Sequence, residues 1–143
     1  KVIDAGHRDN IIFSDESGSG YIVEQRLEGI QKAYKEKGLE FNPDRIYHCL
    51  SSISGGYNQM KDILEKGEVS FSNVFCFNDQ MALGAIRAIE EKGYNVPKDY
   101  SVAGFNDFWM SEWVTPKITT ISQPMYDIGA VATRMLMQKS SVK

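Results

Sequence analysis

Histidine and cysteine are scarce in this 143-residue sequence, with two of each. His7, His48, Cys49 and Cys76 form no Cys-x-x-Cys pair and no Cys/His ligand spacing, so neither a zinc site nor a disulfide framework is expected. Basic charge is also short. Sixteen Lys and Arg against 19 Asp and Glu leave a net charge of -3 and a pI near 5.4. Phosphate neutralisation needs a basic face, so this balance argues against nucleic-acid binding by the segment itself. No apolar run approaches the roughly 18 residues of a membrane span, and no membrane contact is expected. The opening KVIDAGHRDN carries no apolar signal-peptide core and starts at Lys1 rather than Met. The chain reads as a piece of something longer. Catalytic signatures are missing too: there is no GxSxG, no P-loop and no GxGxxG. The stretch SGSGY lacks the phosphate-loop spacing and a following Gly-Lys. No catalytic residue, metal or cofactor is expected.

What is present is an ordinary globular composition, 42% hydrophobic and 24% charged. Such a length suits one domain burying roughly two-thirds of its unfolded surface. Apolar strand-like runs alternate with helical patterns. Strands are predicted at 10–13 (NIIF), 45–50 (RIYHCL), 73–77 (NVFCF) and 100–105 (YSVAGF), with KITTIS extended. Helices are predicted at 21–37, 57–66 and 79–92, stopped by Gly38, Gly67 and Gly93. On the first, Val23, Leu27, Ile30 and Tyr34 share one face. A last helix begins at Pro124, with Ile128, Val131, Ala132, Met135 and Leu136 as its apolar stripe. SGSG at 17–20 reads as a flexible turn, too short for a linker. Strand–helix alternation with near-continuous apolar strands implies the α/β class, a parallel sheet flanked by helices.

In open parallel sheets, ligands bind beyond the carboxyl ends of the strands. Each apolar run here ends in polar residues: Ser14 and Asp15, Ser51 and Ser52, Asn78 and Asp79, Asn106 and Asp107. Taken singly, each pair reads as helix caps or turn residues. Two polar residues at several ends exceed what capping needs, and one of each pair is expected to face the crevice. Asn78 both donates and accepts, which suits a sugar hydroxyl or a base edge. Arg26 lies beside the apolar face of its helix, where its guanidinium either reaches over the rim or covers apolar neighbours. Tyr57, Phe108 and Trp109 follow strand ends, as stacking surfaces or as loop packing. His7 and His48 lie away from this rim. Asp15, Asp79 and Asp107 would make an acidic metal site only with a Lys partner or a DxD spacing, and neither is present.

The run FNDQMALGAIRAIEEKGYNVPKDYSVAGFND, with GHRDNIIF, RLEGIQKAYKEKGLEFNPD and PKITTISQPMYDIGAVA, closely resembles the LacI/GalR family of sugar-responsive regulators over nearly the whole chain. The resemblance implies a periplasmic binding protein-like fold of two lobes, with a small-molecule effector, a sugar or derivative, in the cleft. Residues 1–121 would be the C-terminal lobe and 122–143 the segment returning to the other lobe. The helix starting at Pro124 would then be poorly anchored without that lobe. By position, Arg26, Asn78 and Asn106 match effector-contacting residues, and Tyr57 falls near an aromatic that stacks on the ligand; Asp15 is added from its strand end. Where the family has Asp, this chain has Asn106, and an amide offers no charged double acceptor to two sugar hydroxyls. The implied parent is a cytoplasmic homodimer that meets DNA through a domain outside this chain.

A dimer surface is expected at Leu83, Trp113 and Val114. Leu83 points about 100° from the inward face of Ala82, Ala85, Ile86 and Ile89. Leu83→Lys should then weaken association without unfolding. The alternative reading is one lobe of a periplasmic sugar-binding transport protein, and the third an α/β enzyme using the aspartates.

Overall fold

The apolar runs become four strands: β1 Asn10–Asp15, β2 Ile46–Cys49, β3 Asn73–Cys76 and β4 Ser101–Ala103. Between and after them come α1 Tyr21–Glu36, α2 Ile53–Lys66, α3 Asp79–Glu91 and α4 Met125–Ser140. This computed structural model describes residues 1–17 and 20–140, so the turn expected at 17–20 and the end of segment 122–143 fall partly outside the described residues.

The strands form one parallel sheet in the order β2-β1-β3-β4. Its register sets Phe13 beside Cys76 and Asp15 beside Cys49. This is the expected α/β class. The extended KITTIS segment adds a partial fifth strand, bridging Ala103 to Thr119 and Asn106 to Ser122 in parallel. Ile11, Phe13, Val74 and Cys76 have no exposed surface, because helices cover both faces of the central strands.

The chain leaves β1 for β2 on one side and returns to β3 on the other. Right-handed crossovers therefore set α1 on one face and α2 with α3 on the opposite face. On the α1 face, the Tyr34 hydroxyl takes a hydrogen bond from Asn10 Nδ2 at 2.7 Å. Val23 and Tyr34 are buried there, with Leu27 and Ile30 half-covered, as their spacing predicted.

α2 begins at Ile53, four residues before the predicted start. The sequence ISGG reads as a breaker, yet these glycines are contact points. A Cβ on Gly56 would strike the Met81 carbonyl oxygen of α3, and one on Gly84 would strike the Ile53 carbonyl oxygen of α2. The two helix backbones approach where side chains are missing, and that packing overrides helix propensity. Ser52 caps the helix, its hydroxyl accepting from Gly55 N–H at 3.1 Å.

α4 is different. From Met125 to Lys139 its side chains are exposed, apart from half-buried Ala130. Ile128, Val131, Met135 and Leu136 are 51–68% exposed, an apolar stripe facing solvent. Leu83 departs from its expected outward setting: it is half-buried and packs against the core. Trp113 is 82% exposed, while Val114 is half-buried against the core.

Candidate functional site

The strand ends gather into two groups rather than one: Arg26 with Phe77 and Asn106, and Asp15 with Ser51 and His48. Asn78 lies two residues beyond β3 and is the N-cap of α3, its Oδ1 accepting from Met81 N–H at 2.8 Å. That spends the acceptor half of the amide and leaves Nδ2 as its donor. Asp79, one residue on, is wholly buried. Its Oδ2 accepts from Phe108 N–H and its Oδ1 from the Thr120 hydroxyl, each at 2.6 Å. The carboxylate therefore does not face a crevice, against the expectation for such pairs. Asn78 is spent on the helix cap, while Asp79, the first residue of α3, is held under the loop by Phe108 and Thr120. Ser14 is wholly buried too, with no hydrogen-bond partner for its hydroxyl among the described residues.

Arg26 reaches over the rim from α1. Its Nη1 donates to the Phe77 carbonyl oxygen, and its Nη2 donates to Asn106 Oδ1 at 3.3 Å. The guanidinium lies 4.0 Å from the Phe105 ring centre and 5.8 Å from that of Phe77. Half-buried in this way, its pKa is lowered from the ordinary value by loss of water. An arginine stacked on aromatic faces and anchored by two acceptors is pre-organised, with further N–H groups left for a ligand. Asn106 and Asp107 both have positive φ, 106° and 56°. The Asn106 N–H bonds to the Ile121 carbonyl at 3.0 Å. The strand end is thus held in a conformation that non-glycine residues adopt only under constraint.

Asp15 forms a separate polar group. Its Oδ2 accepts from the Ser51 hydroxyl at 2.5 Å, and its Oδ1 from Ser17 N–H and Oγ at 3.0 and 2.8 Å. The Ser51 hydroxyl, followed by the Ser17 groups, holds its carboxyl below the usual carboxylate range. His48 belongs here rather than away from the rim, since its Nδ1 lies 3.3 Å from the Asp15 carbonyl oxygen. Tyr57 is not brought to Arg26. Its hydroxyl donates to Glu91 Oε2 at 2.6 Å, in the last turn of α3. It lines a groove of about 640 Å³ along α2 and α3 with Ile53, Gln80 and Arg87. A Cβ on Gly84 would meet the Ile53 carbonyl oxygen and the Tyr57 backbone nitrogen, so this turn of α2 lies directly against α3.

The three aspartates do not meet. Asp79 is held by Phe108 and Thr120, Asp15 by Ser17 and Ser51, and Asp107 Oδ1 accepts from Ser111 at 3.3 Å. Among the described residues no group of three His, Cys, Asp or Glu side chains is placed to hold a metal. Nor is any helix among them long and apolar enough to cross a membrane. The sequence did not single out Phe105, Phe77 or Thr120 for the site. Phe105 had a readable signal, an aromatic immediately before the strand-end amide. Thr120 had none.

A cationic side chain poised over the carboxyl rim of a parallel sheet, beside a polar strand end, has the chemistry to donate hydrogen bonds to a polar ligand. Residues 1–141 match the periplasmic binding protein-like domain family. The chain belongs to that family. Within it, the regulator-type motifs of the sequence are matched by regulators. The HTH-type transcriptional repressor PurR of Histophilus somni is 40% identical over 99% of this chain and 42% of its own length. A LacI-family regulator from Enterococcus faecium, solved with bound ribose, superposes at a TM-score of 0.87 with 27% identity, over 99% of this chain and 51% of that one. A dimeric Lac repressor gives 0.86 with 29% identity, over 97% and 50%. The chain therefore spans about two-fifths to half the length of these periplasmic binding protein-like relatives, and the LacI/GalR resemblance is borne out.

Proposed function

We propose that this chain is the effector-binding and dimerisation lobe of a LacI/GalR-type transcriptional regulator. The observation that carries the reading is Arg26, held over the rim by the Phe77 carbonyl, Asn106 and the Phe105 ring. The effector is a small polyhydroxylated molecule, a sugar or a derivative of one, bound between this lobe and a second. Arg26, the Nδ2 of Asn78 and Asn106 meet it from this side. The ribose held by the Enterococcus faecium relative supports that ligand class. Segment 122–143 returns to the second lobe, and the solvent-facing apolar stripe of α4 supports this. The parent acts in the cytoplasm as a homodimer, is not an enzyme, and meets DNA through another part of its sequence.

A thermal-shift panel of sugars and nucleosides on the whole gene product tests the reading. Ligand that binds only the folded state raises the melting temperature with concentration. One sugar or nucleoside should do so and the rest should not. A flat panel, or a signal peptide in place of a helix-turn-helix at the start of the gene product, would refute it.

A further inference from the structure

Asp79 is a wholly buried carboxylate whose side-chain hydrogen bonds go to Phe108 N–H and the Thr120 hydroxyl. Phe108 N–H lies just after Asn106 and Asp107, and Thr120 lies on the partial strand beside β4. The same Thr120 oxygen accepts from Asp107 N–H at 3.2 Å. Ile121 next to it accepts from Asn106 N–H at 3.0 Å. Three successive N–H groups, 106 to 108, are thereby satisfied by one carboxylate, one hydroxyl and one carbonyl. Two of these residues carry the positive φ angles of the strand end. Gly104 makes room for the arrangement, since a Cβ there would run into Asp79 Oδ1.

We propose that Asp79 and Thr120 are positioning residues for the ligand site: their hydrogen bond locks the backbone at 106–108 so that the Asn106 side chain faces Arg26 at the rim. A charge-assisted hydrogen bond is shorter and stronger than a neutral one, and its strength offsets the strained backbone. Neither residue needs to touch ligand. The proposal rests on the reading of Asn106 as a ligand residue, but its structural half can be tested without any ligand.

Thr120→Val keeps the side-chain shape and removes the hydroxyl; Thr120→Ser keeps the hydroxyl. Amide exchange followed by NMR on the chain reads the outcome. Thr120→Val should speed exchange at Asn106, Asp107 and Phe108 at least tenfold and shift the Asn106 side-chain amide signal. It should leave Ile12 and Val74 unchanged, and Thr120→Ser should restore the native pattern. Gly104→Ala, which displaces the carboxylate from the other side, should give the same local signature. Unchanged exchange at 106–108 in Thr120→Val overturns the proposal. So does equal loss in the valine and serine variants, which would assign the effect to packing. The sugar and nucleoside panel is then run on Thr120→Val in the whole gene product. If exchange responds as expected and effector affinity does not fall, Asn106 is not a ligand residue, and the ligand half of the proposal fails while the locking stands.

Discussion

Arg26 and Asn106 lie 80 residues apart in sequence and meet at 3.3 Å, Nη2 to Oδ1. The pair closes the rim between α1 and the end of β4. A carboxylate in place of the amide would turn this hydrogen bond into an ion pair. Asn106→Asp is therefore expected to stabilise the fold slightly, by about 0.2–1 kcal/mol as for half-exposed pairs. Its larger effect should be on ligand preference, because the site loses the Nδ2 donor and gains a charged acceptor. Thermal melting with and without each sugar of the panel separates the two. A large change in stability with an unaltered ligand order would contradict this.

The glycines at the helix interface make a sharper prediction about stability. Gly56→Ala places a methyl group against the Met81 carbonyl, where only backbone movement relieves the clash. It should destabilise by about 1–3 kcal/mol or more. Gly29→Ala, on the exposed face of α1 with nothing within 4 Å, should instead stabilise by roughly 0.5–1 kcal/mol. Urea denaturation of the two variants should move the midpoint in opposite directions.

Both thiols should be inert in the native chain. Burial, with help from Asp15 and Glu16, pushes Cys49 up to about 11. Cys76 is wholly buried, and burial raises it well above the ordinary thiol value. The thiolate is the reactive form, so little of it exists at pH 8. A thiol-exchange dye should titrate two cysteines in denaturant and none quickly in the native state. A fast native thiol would contradict the packing of β2 or β3.

Much of the fold was legible because strands and helices carry their periods locally. Val23, Leu27, Ile30 and Tyr34 announce α1, and the four strand ends announce the rim. What was not legible depends on distant partners. Asn78 and Asp79 look alike as a polar pair, and sequence does not say which one points under the loop. The bond that decides it, Asp79 to Thr120, spans 41 residues. The start of α2 was hidden because glycines that permit close approach read as breakers. Leu83 was expected to point outward, but it is half-buried against the core, and that depends on neighbours that no helical wheel includes.

That burial changes how association is tested. Leu83→Lys would set a charge against the core and confuse unfolding with dissociation. Trp113, 82% exposed, is the clean probe. An exposed tryptophan is a common anchor of protein interfaces. Trp113→Ala should weaken dimerisation of the whole gene product at least tenfold with little change in melting temperature. Sedimentation showing an unaltered dimer would place the interface elsewhere.

Calorimetric titration of the whole gene product with the effector found by the panel is the most direct measurement. Arg26→Ala removes a charged donor from the cleft proposed between the two lobes, leaving ligand oxygens unpaired. The expected loss is roughly 1.5–3 kcal/mol, or about 10- to 150-fold in affinity. Asn106→Ala should weaken binding as well. If both variants fold as the native protein does and bind effector with unchanged affinity, the rim around Arg26 is not the ligand site.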